Sequence, residues 1–508
     1  MEGESKKSAK SSIVKAATLL TIGTILSKVL GFVRELCVAY KFGTGPISDA
    51  FVLTNSIPTI LFQAIATAIN INFIPFYHRI DTQEGKNKFT SNITNICLVV
   101  LLAGCAVMNI FPGIILKIFA TGLSAETEVY AIVMLRIVAF SIVPIVLADI
   151  FQAYLQANQL FWSTALYGVV TNVVVILFTL ASTAEQYFLL SVGTVLSHII
   201  GLMPIFFAMK KRTLFKYRKY MNFKDDQLKS LVLLTMPLII ENVASSMSLL
   251  VDRNLASFLE DGVISGLGYA GNIGNIASTM IATAIITATF PTFSKLLANG
   301  DKDQFSKSFE KYASVISYLL GPISIFMILN ATPIVSFIFE HGSFDSTSTR
   351  IVSESMICYA VGVLPMGLQS YLIRGFYAMQ DTKTPVKIKV FALICNIALN
   401  LASVHFLQHK GIALSTSISY LIAYFMLTHS LKKKHGVANI NKITFEGTIS
   451  LVLSIIPALL VNAVFYWFIE VNNLFIELMI KGVAFLVLFF VLMLIFRRER
   501  MKEIIKAV

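Results

Sequence analysis

Apolar runs of about 20 residues recur from one end of this 508-residue chain to the other, each long enough to cross about 30 Å of hydrocarbon as a helix. Nothing else in the sequence limits the fold as much. Composition agrees: 56% of residues are hydrophobic and mean hydropathy is +0.76. Only 14% are charged, where a soluble protein carries roughly a quarter. The chain reads as an all-α polytopic membrane protein.

Fourteen transmembrane helices are expected, near 13–41, 49–77, 90–112, 128–156, 160–182, 186–209, 231–258, 264–292, 312–339, 348–373, 384–406, 411–430, 446–469 and 473–496. Basic residues then gather in both termini and the even-numbered connections. The odd-numbered connections hold only Lys117 and Lys410. This bias places both termini in the cytoplasm. The net charge of +13 is therefore topology and an anionic-lipid footprint, and a nucleic-acid partner is not expected. The apolar run after the polar first fifteen residues lacks a small-residue cleavage pattern, so it reads as helix one and not as a cleaved signal. Cys37, Cys97, Cys105, Cys358 and Cys395 all lie in apolar segments without C-x-x-C spacing, which argues against a disulfide frame or a zinc site.

The longest basic linker, Lys210 to Ser230, separates two halves that look like copies. "VPIVLADIFQAYLQANQ" (143–159) parallels "LPMGLQSYLIRGFYAMQD" (364–381), with Pro144 opposite Pro365. Asn172 aligns with Asn396, Arg34 with Arg253, Gly43 with Gly262, and "FIPFY" at Phe73 with "TFPTF" at Thr289. The offset is 216 to 224 residues throughout. The expected plan is an N-lobe over 1–220, a C-lobe over 221–444, and two further helices over 445–508. An even number of helices per copy keeps both copies in one orientation, which suits a cavity between pseudo-symmetric six-helix lobes and alternating access.

Charges inside hydrocarbon cost at least roughly 2.5–3.5 kcal/mol each, so those that persist tend to meet a cavity or a partner. Helix one carries Lys28, Arg34 and Glu35. Lys28 and Glu35, seven apart, share a face and can neutralise each other, which leaves Arg34 to grip an outside anion with its guanidinium fork. A snorkelling helix-end arginine is the plainer alternative. Arg253 and Arg136 are further anion candidates, and Asp49 is an N-cap beside Ser48 on the plainest reading. Lys481 reads as facing lipid or a partner. Asp252, Asn396, Asn400, Ser415 and Thr416 form an oxygen-rich set suited to a hard monovalent cation, or else to interhelical hydrogen bonds. Glu241 and Glu354 are buried acids on this reading and suit a proton relay. The seven histidines show no metal spacing, and no Walker A, G-x-S-x-G or H-E-x-x-H pattern occurs, so an enzyme is not expected.

"LSKVLGFVRELCVAYKFGTGPISDAF", "PIVSFIFEHGSFDSTST" and "YLIRGFYAMQDTKTPVKI" resemble the MurJ (MviN) lipid II flippases, within the multidrug/oligosaccharidyl-lipid/polysaccharide exporter superfamily. The resemblance covers nearly the whole chain. It implies a two-lobed fold with a central cationic cavity. The implied activity moves undecaprenyl-pyrophosphate-linked peptidoglycan precursor from the inner to the outer leaflet of the bacterial cytoplasmic membrane. The family pattern also implies a lipid-tail groove on the last two helices. It carries substrate roles to Lys28, Arg34, Glu35 and Asp49, with Lys28 where Arg is more usual and Glu35 where Asp is. It implies a cation site at Asp252, Asn396, Asn400, Thr416 and the carbonyl of Ile412, and coupling to Na⁺ or protons without any other cofactor. Two departures stand out. Phe62 and Gln63 replace an arginine pair on helix two, and Asn272 replaces an arginine on helix eight. Arg136, Arg253 or Arg374 then compensates, or the substrate is another carrier-linked glycan of capsule or teichoic type. A cation-coupled multidrug or solute antiporter is the rival from another class. Expected partners are the lipid-linked glycan, membrane lipids and enzymes of cell-envelope synthesis.

Overall fold

The structure, a computed structural model, describes residues 23–437, 440–469 and 471–505. The expectations for the N-terminal segment before Gly23 lie outside the described residues. The chain forms two compact units. One runs to Ile264 and includes Gly342–Phe344; the other comprises Ser265–His341 and the chain from Asp345 onward.

The first unit holds α1 (23–42) and α2 (Pro46–Pro58), which passes through a π turn (Thr59–Gln63) into α3 (Ala64–His78). Then follow α4 (Gln83–Ile110), α5 (Pro112–Phe119) and α6 (Ala125–Val138), which joins α7 (Ile142–Ala157) through a 3₁₀ turn. α8 (Trp162–Ala181), α9 (Phe188–Arg212) and α10 (Asp226–Ala256) complete it. α11 (Val263–Ala298) changes unit within its first turn. The second unit continues with α12 (Lys302–Leu329), α13 (Ala331–Phe339), α14 (Ser346–Ala378), α15 (Lys383–Leu407), α16 (His409–His435), α17 (Ile440–Phe468), α18 (Leu474–Phe496) and α19 (Arg498–Ile505).

Every regular element among the described residues is a helix, as lipid demands of backbone groups that have no water to bond. Helix starts are sealed by side chains: Thr82 accepts from Gly85 N–H, Ser124 from Thr127 N–H, and Asp225 from Gln227 and Leu228 N–H. Among the described residues, eleven helices are long and apolar enough to cross a membrane. The segments expected at 13–41, 49–77 and 231–258 are helical where described but are not among those eleven. The second of them is broken by the π turn just after Pro58, whose ring nitrogen cannot donate to the helix ladder.

The repeat is visible in backbone detail. Gly43 and Gly262 both take positive φ, at 57° and 93°. Of three non-glycine residues with positive φ, two are Gln159 (58°) and Gln380 (61°). Each follows a helix end closed in the same way. Leu160 N–H reaches back to Leu155 O and Gln159 N–H to Gln156 O; Asp381 N–H reaches Phe376 O and Gln380 N–H reaches Tyr377 O. Both are Schellman closures with glutamine in the left-handed position.

The first unit has one continuous core, in which Phe73, Tyr77, Tyr154 and Leu155 are buried. In the second unit, Glu446 on α17 is 3% exposed and accepts from Tyr318 OH (2.6 Å), Arg497 (2.5 Å) and Arg500 (3.0 Å). That network fastens the end of the chain to α12 and α17. Lys481, expected to face lipid or a partner, is buried instead. Its ammonium lies 2.5 Å from Glu477 and 5.2 Å from the Phe465 ring centroid. An acid one turn earlier and an aromatic face across the groove let the charge stay inside.

Candidate functional site: charged and amide side chains within the spans

Small residues position α1. Gly23, Ser27 and Gly31 face α8, where a Cβ on Gly23 would lie 2.4 Å from Ala165 Cβ and one on Gly168 2.3 Å from Ser27 Oγ. Asn172 on α8 donates to Ser27 O at 3.1 Å. Arg34, seven residues after Ser27, continues this stripe and is half-buried, whereas Lys28 on the flank is exposed. Arg34 was expected to stand clear of Glu35. Its Nη2 lies 3.9 Å from Glu35 Oε1, so the two long side chains bend together across the 100° that separates their Cα positions. The Arg34 side chain is 38% exposed.

Asp49 does not cap α2. The N-cap is Gly45, without a side-chain bond, and Pro46 needs none at the first position. Asp49 is 2% exposed and accepts from Gly262 N–H at 2.6 Å, joining the two glycine turns of the repeat. Ser48 donates to Gly43 O at 2.8 Å, and Ser343 N–H to Tyr40 O at 2.8 Å. A Cβ on Gly43 would meet Ser343 O at 2.4 Å, so the positive φ and the close approach both require glycine there. Arg253 donates from Nη1 to Ile264 O, and Asp252 beside it is half-buried. Asp49 and Arg253 thus hold a knot of loops. Arg136, in the last turn of α6, is exposed. Arg374 is exposed as well, 5.8 Å from the Tyr377 ring centroid.

The helix-two departure has a packing counterpart. A Cβ on Gly104 would lie 2.4 Å from the Phe62 ring, so Phe62 fills the space that glycine leaves on α4. Nothing is described of the Gln63 or Glu241 side chains. Asn272 is half-buried on α11, in the second unit.

Four of the five expected cation ligands meet in the second unit. Asn396 donates to Thr416 Oγ1 (3.4 Å), Asn400 donates to Asn396 Oδ1 (3.3 Å), and Thr416 donates to Ile412 O (3.2 Å). Asn396, Asn400 and Ile412 are at most 1% exposed. Their oxygens suit a hard cation, but all are neutral. The one acid of the set, Asp252, belongs to the first unit. Glu354, expected as a buried relay acid, is 32% exposed and engaged by His409 Nε2 at 3.1 Å and by the Lys410 ammonium at 3.2 Å. The first turn of α16 brings both to it.

Sequence reasoning missed the Tyr167–His198 hydrogen bond (2.8 Å) between α8 and α9, and Asp261, which accepts from Ser124 and Thr127 at 2.9 Å. Both helices carry several polar side chains within apolar runs, a signal of burial that names no partner.

Charged and amide side chains held within apolar spans, on helices arranged in two units, define a polytopic membrane transporter. The fold is shared with an inward-facing multidrug resistance MATE transporter of the MOP superfamily, at a TM-score of 0.67 and 14% identity over 81% of this chain and 96% of that one. The chain belongs to the lipid II flippase MurJ family, whose model matches residues 38–485. It is 27% identical over 440 residues to the probable lipid II flippase MurJ of Rickettsia prowazekii, covering 84% of this chain and 86% of the relative. A solved lipid II flippase MurJ in an inward closed conformation superposes at a TM-score of 0.82 with 26% identity, over 95% of this chain and 99% of that one.

Proposed function

We propose that this protein moves lipid II, the undecaprenyl-pyrophosphate-linked peptidoglycan precursor, from the inner to the outer leaflet of the bacterial cytoplasmic membrane by alternating access. The observation that carries this reading is the family match over residues 38–485. Fourteen crossings, cytoplasmic termini and the three-part plan of 1–220, 221–444 and 445–508 belong to the same proposal, supported by the basic bias of the even-numbered connections.

Chemistry assigns the parts. Arg34 takes the pyrophosphate, because guanidinium holds phosphate oxygens two at a time. Lys28, exposed on the same helix, adds a second cation. Glu35 holds Arg34 between visits, and Asp49 and Arg253 set the loops around it. Arg136 and Asn272 contact the head group. An apolar cavity of about 320 Å³ in the second unit, lined by Ile328, Leu364, Leu368, Phe425 and Leu451, has the chemistry to take part of the polyprenyl tail. Asn396, Asn400, Thr416 and the Ile412 carbonyl would hold a coupling Na⁺, which supplies a movable positive charge. A sodium-specific rise in thermal stability, lost in Asn400→Ala, tests this part without a transport assay.

Depleting the protein in its host while measuring lipid II exposure at the outer leaflet tests the whole reading. Unchanged exposure would sink it. The second reading, another carrier-linked glycan, is favoured by Phe62 and Asn272 standing where family cations are usual. Normal lipid II exposure with loss of that glycan would select it.

A further inference from the structure

The basic linker between α9 and α10 is an extended strap laid along α4. Gln83 Nε2 donates to Leu214 O (3.4 Å), Lys216 N–H to Asn87 Oδ1 (3.3 Å), and Arg218 N–H to Ser91 Oγ (3.0 Å). Asn95 Nδ2 donates to Tyr220 O (3.0 Å). Asn92 exchanges two bonds with the backbone of Asn222, at 2.7 and 3.1 Å. Leu214, Lys216, Arg218 and Tyr220 are therefore tied to successive turns of the helix, and Asn222 folds back to Asn92. The geometry permits it, because two extended residues advance about 6.6 Å and four helical residues about 6.0 Å. Amide and hydroxyl side chains on one face of α4 thus do for this strand what a neighbouring strand does in a sheet.

With the backbone turned to α4, the strap shows the solvent a mixed surface. Leu214, Tyr217, Met221 and Phe223 are each more than half exposed. Lys216, Lys219 and Lys224 are exposed among them. Facing acids are few and already engaged. Glu84 lies near Lys88 (3.5 Å) and Arg218 (3.8 Å), Asp225 caps α10, and Asp226 lies 3.7 Å from Lys229. The strap starts where α9 ends, and α4 and α9 are both apolar enough to span. Exposed apolar side chains interleaved with uncompensated lysines at the end of a span fit the interface of an anionic bilayer, where the apolar groups enter the headgroup layer and the ammonium groups meet phosphates.

We propose that residues 213–224 are a pre-ordered docking platform for anionic phospholipid on the cytoplasmic leaflet. The inference rests on the membrane-spanning fold and not on which lipid-linked substrate is carried. Because α4 holds the strap in advance, binding costs little ordering entropy.

The test uses the full chain with a single reporter: Trp162→Phe, Trp467→Phe and Phe223→Trp. It is placed in nanodiscs of phosphatidylcholine with increasing phosphatidylglycerol, one lipid or the other brominated. The expected result is stronger quenching of the introduced indole by brominated phosphatidylglycerol than by brominated phosphatidylcholine. Adding Lys216→Gln, Lys219→Gln and Lys224→Gln should lower that preference, from roughly fivefold for one lysine towards a hundredfold for three. These side chains make none of the strap's bonds to α4, so unchanged thermal stability identifies a folded variant. Equal quenching by both lipids, or an unchanged preference in the triple variant, would overturn the proposal. So would an indole that neither lipid quenches but an acidic protein shields.

Discussion

The helix ends at Gln159 and Gln380 share one backbone and differ in one residue that matters. Both place glutamine at positive φ and close with the same pair of reverse hydrogen bonds. After the first comes Leu160, packed on the core of its unit. After the second comes Asp381, a hub. Its carboxylate accepts from Thr384 Oγ1 (2.6 Å), Thr384 N–H (3.0 Å) and His435 Nε2 (3.2 Å), and Lys434 Nζ is 3.9 Å away. Burial pushes this carboxyl up, but the Thr384 bonds, His435 and the Lys434 charge outweigh it and hold it at about 2. One turn therefore closes by apolar contact, and the other by charge, at the border of a cavity of about 570 Å³ that Lys302, Lys434 and His435 help to line. A duplicated backbone leaves side-chain chemistry free to diverge at any position the turn itself does not restrict.

Five experiments break or sharpen this contrast. Leu160→Asp copies the second turn's residue into the first without its partners. Placing an unpaired charge against the core should cost about 3 kcal/mol, read as a fall in the thermal midpoint; a neutral result would mean that the first turn is as polar as the second. Asp381→Ala should cost about 2 kcal/mol by stranding the Thr384 N–H and His435. The same carboxylate predicts a pH signature. Its folded pKa lies below the ordinary 3.8, so its contribution is complete above that value and fades as pH falls towards about 2. Wild type should lose this stability on acidification and Asp381→Asn should not; equal acid sensitivity would remove the assignment. Gln159→Gly and Gln380→Gly should each stabilise by about 1 kcal/mol and by similar amounts, since the backbone strain is shared. Lys434→Ala should cost least, about 0.5 kcal/mol, because its ammonium is 56% exposed and screened.

Much of the fold was legible because its causes are local. Gly43 with Gly262 and Pro144 with Pro365 marked the repeat, and the structure gives both glycines positive φ, with Pro144 in the first turn of α7 and Pro365 inside α14. Asn172 and Asn396 were paired by alignment, and both hydrogen-bond across a helix interface, to Ser27 O and to Thr416 Oγ1. The site was legible only as a set of residue types. Nothing in the chain announces that Asp49 holds Gly262 N–H, that Glu35 reaches Arg34, or that Glu354 is claimed by His409 and Lys410. The linker illustrates the limit: its basic composition was plain, but its fixed course along α4 depends on five amide and hydroxyl groups more than a hundred residues earlier.

Sequence alone determined the helical class, the long apolar helices and the paired turns. Those follow from hydrocarbon thickness, from backbone groups that must bond within their own segment, and from φ values that few residues tolerate. Tertiary structure decided which polar groups meet. In a membrane the faces that touch lipid and the faces that touch protein are equally apolar, so hydropathy cannot rank them. The choice falls to close approaches such as Gly23 on Ala165 and Gly168 on Ser27, and these bring Arg34 to its place.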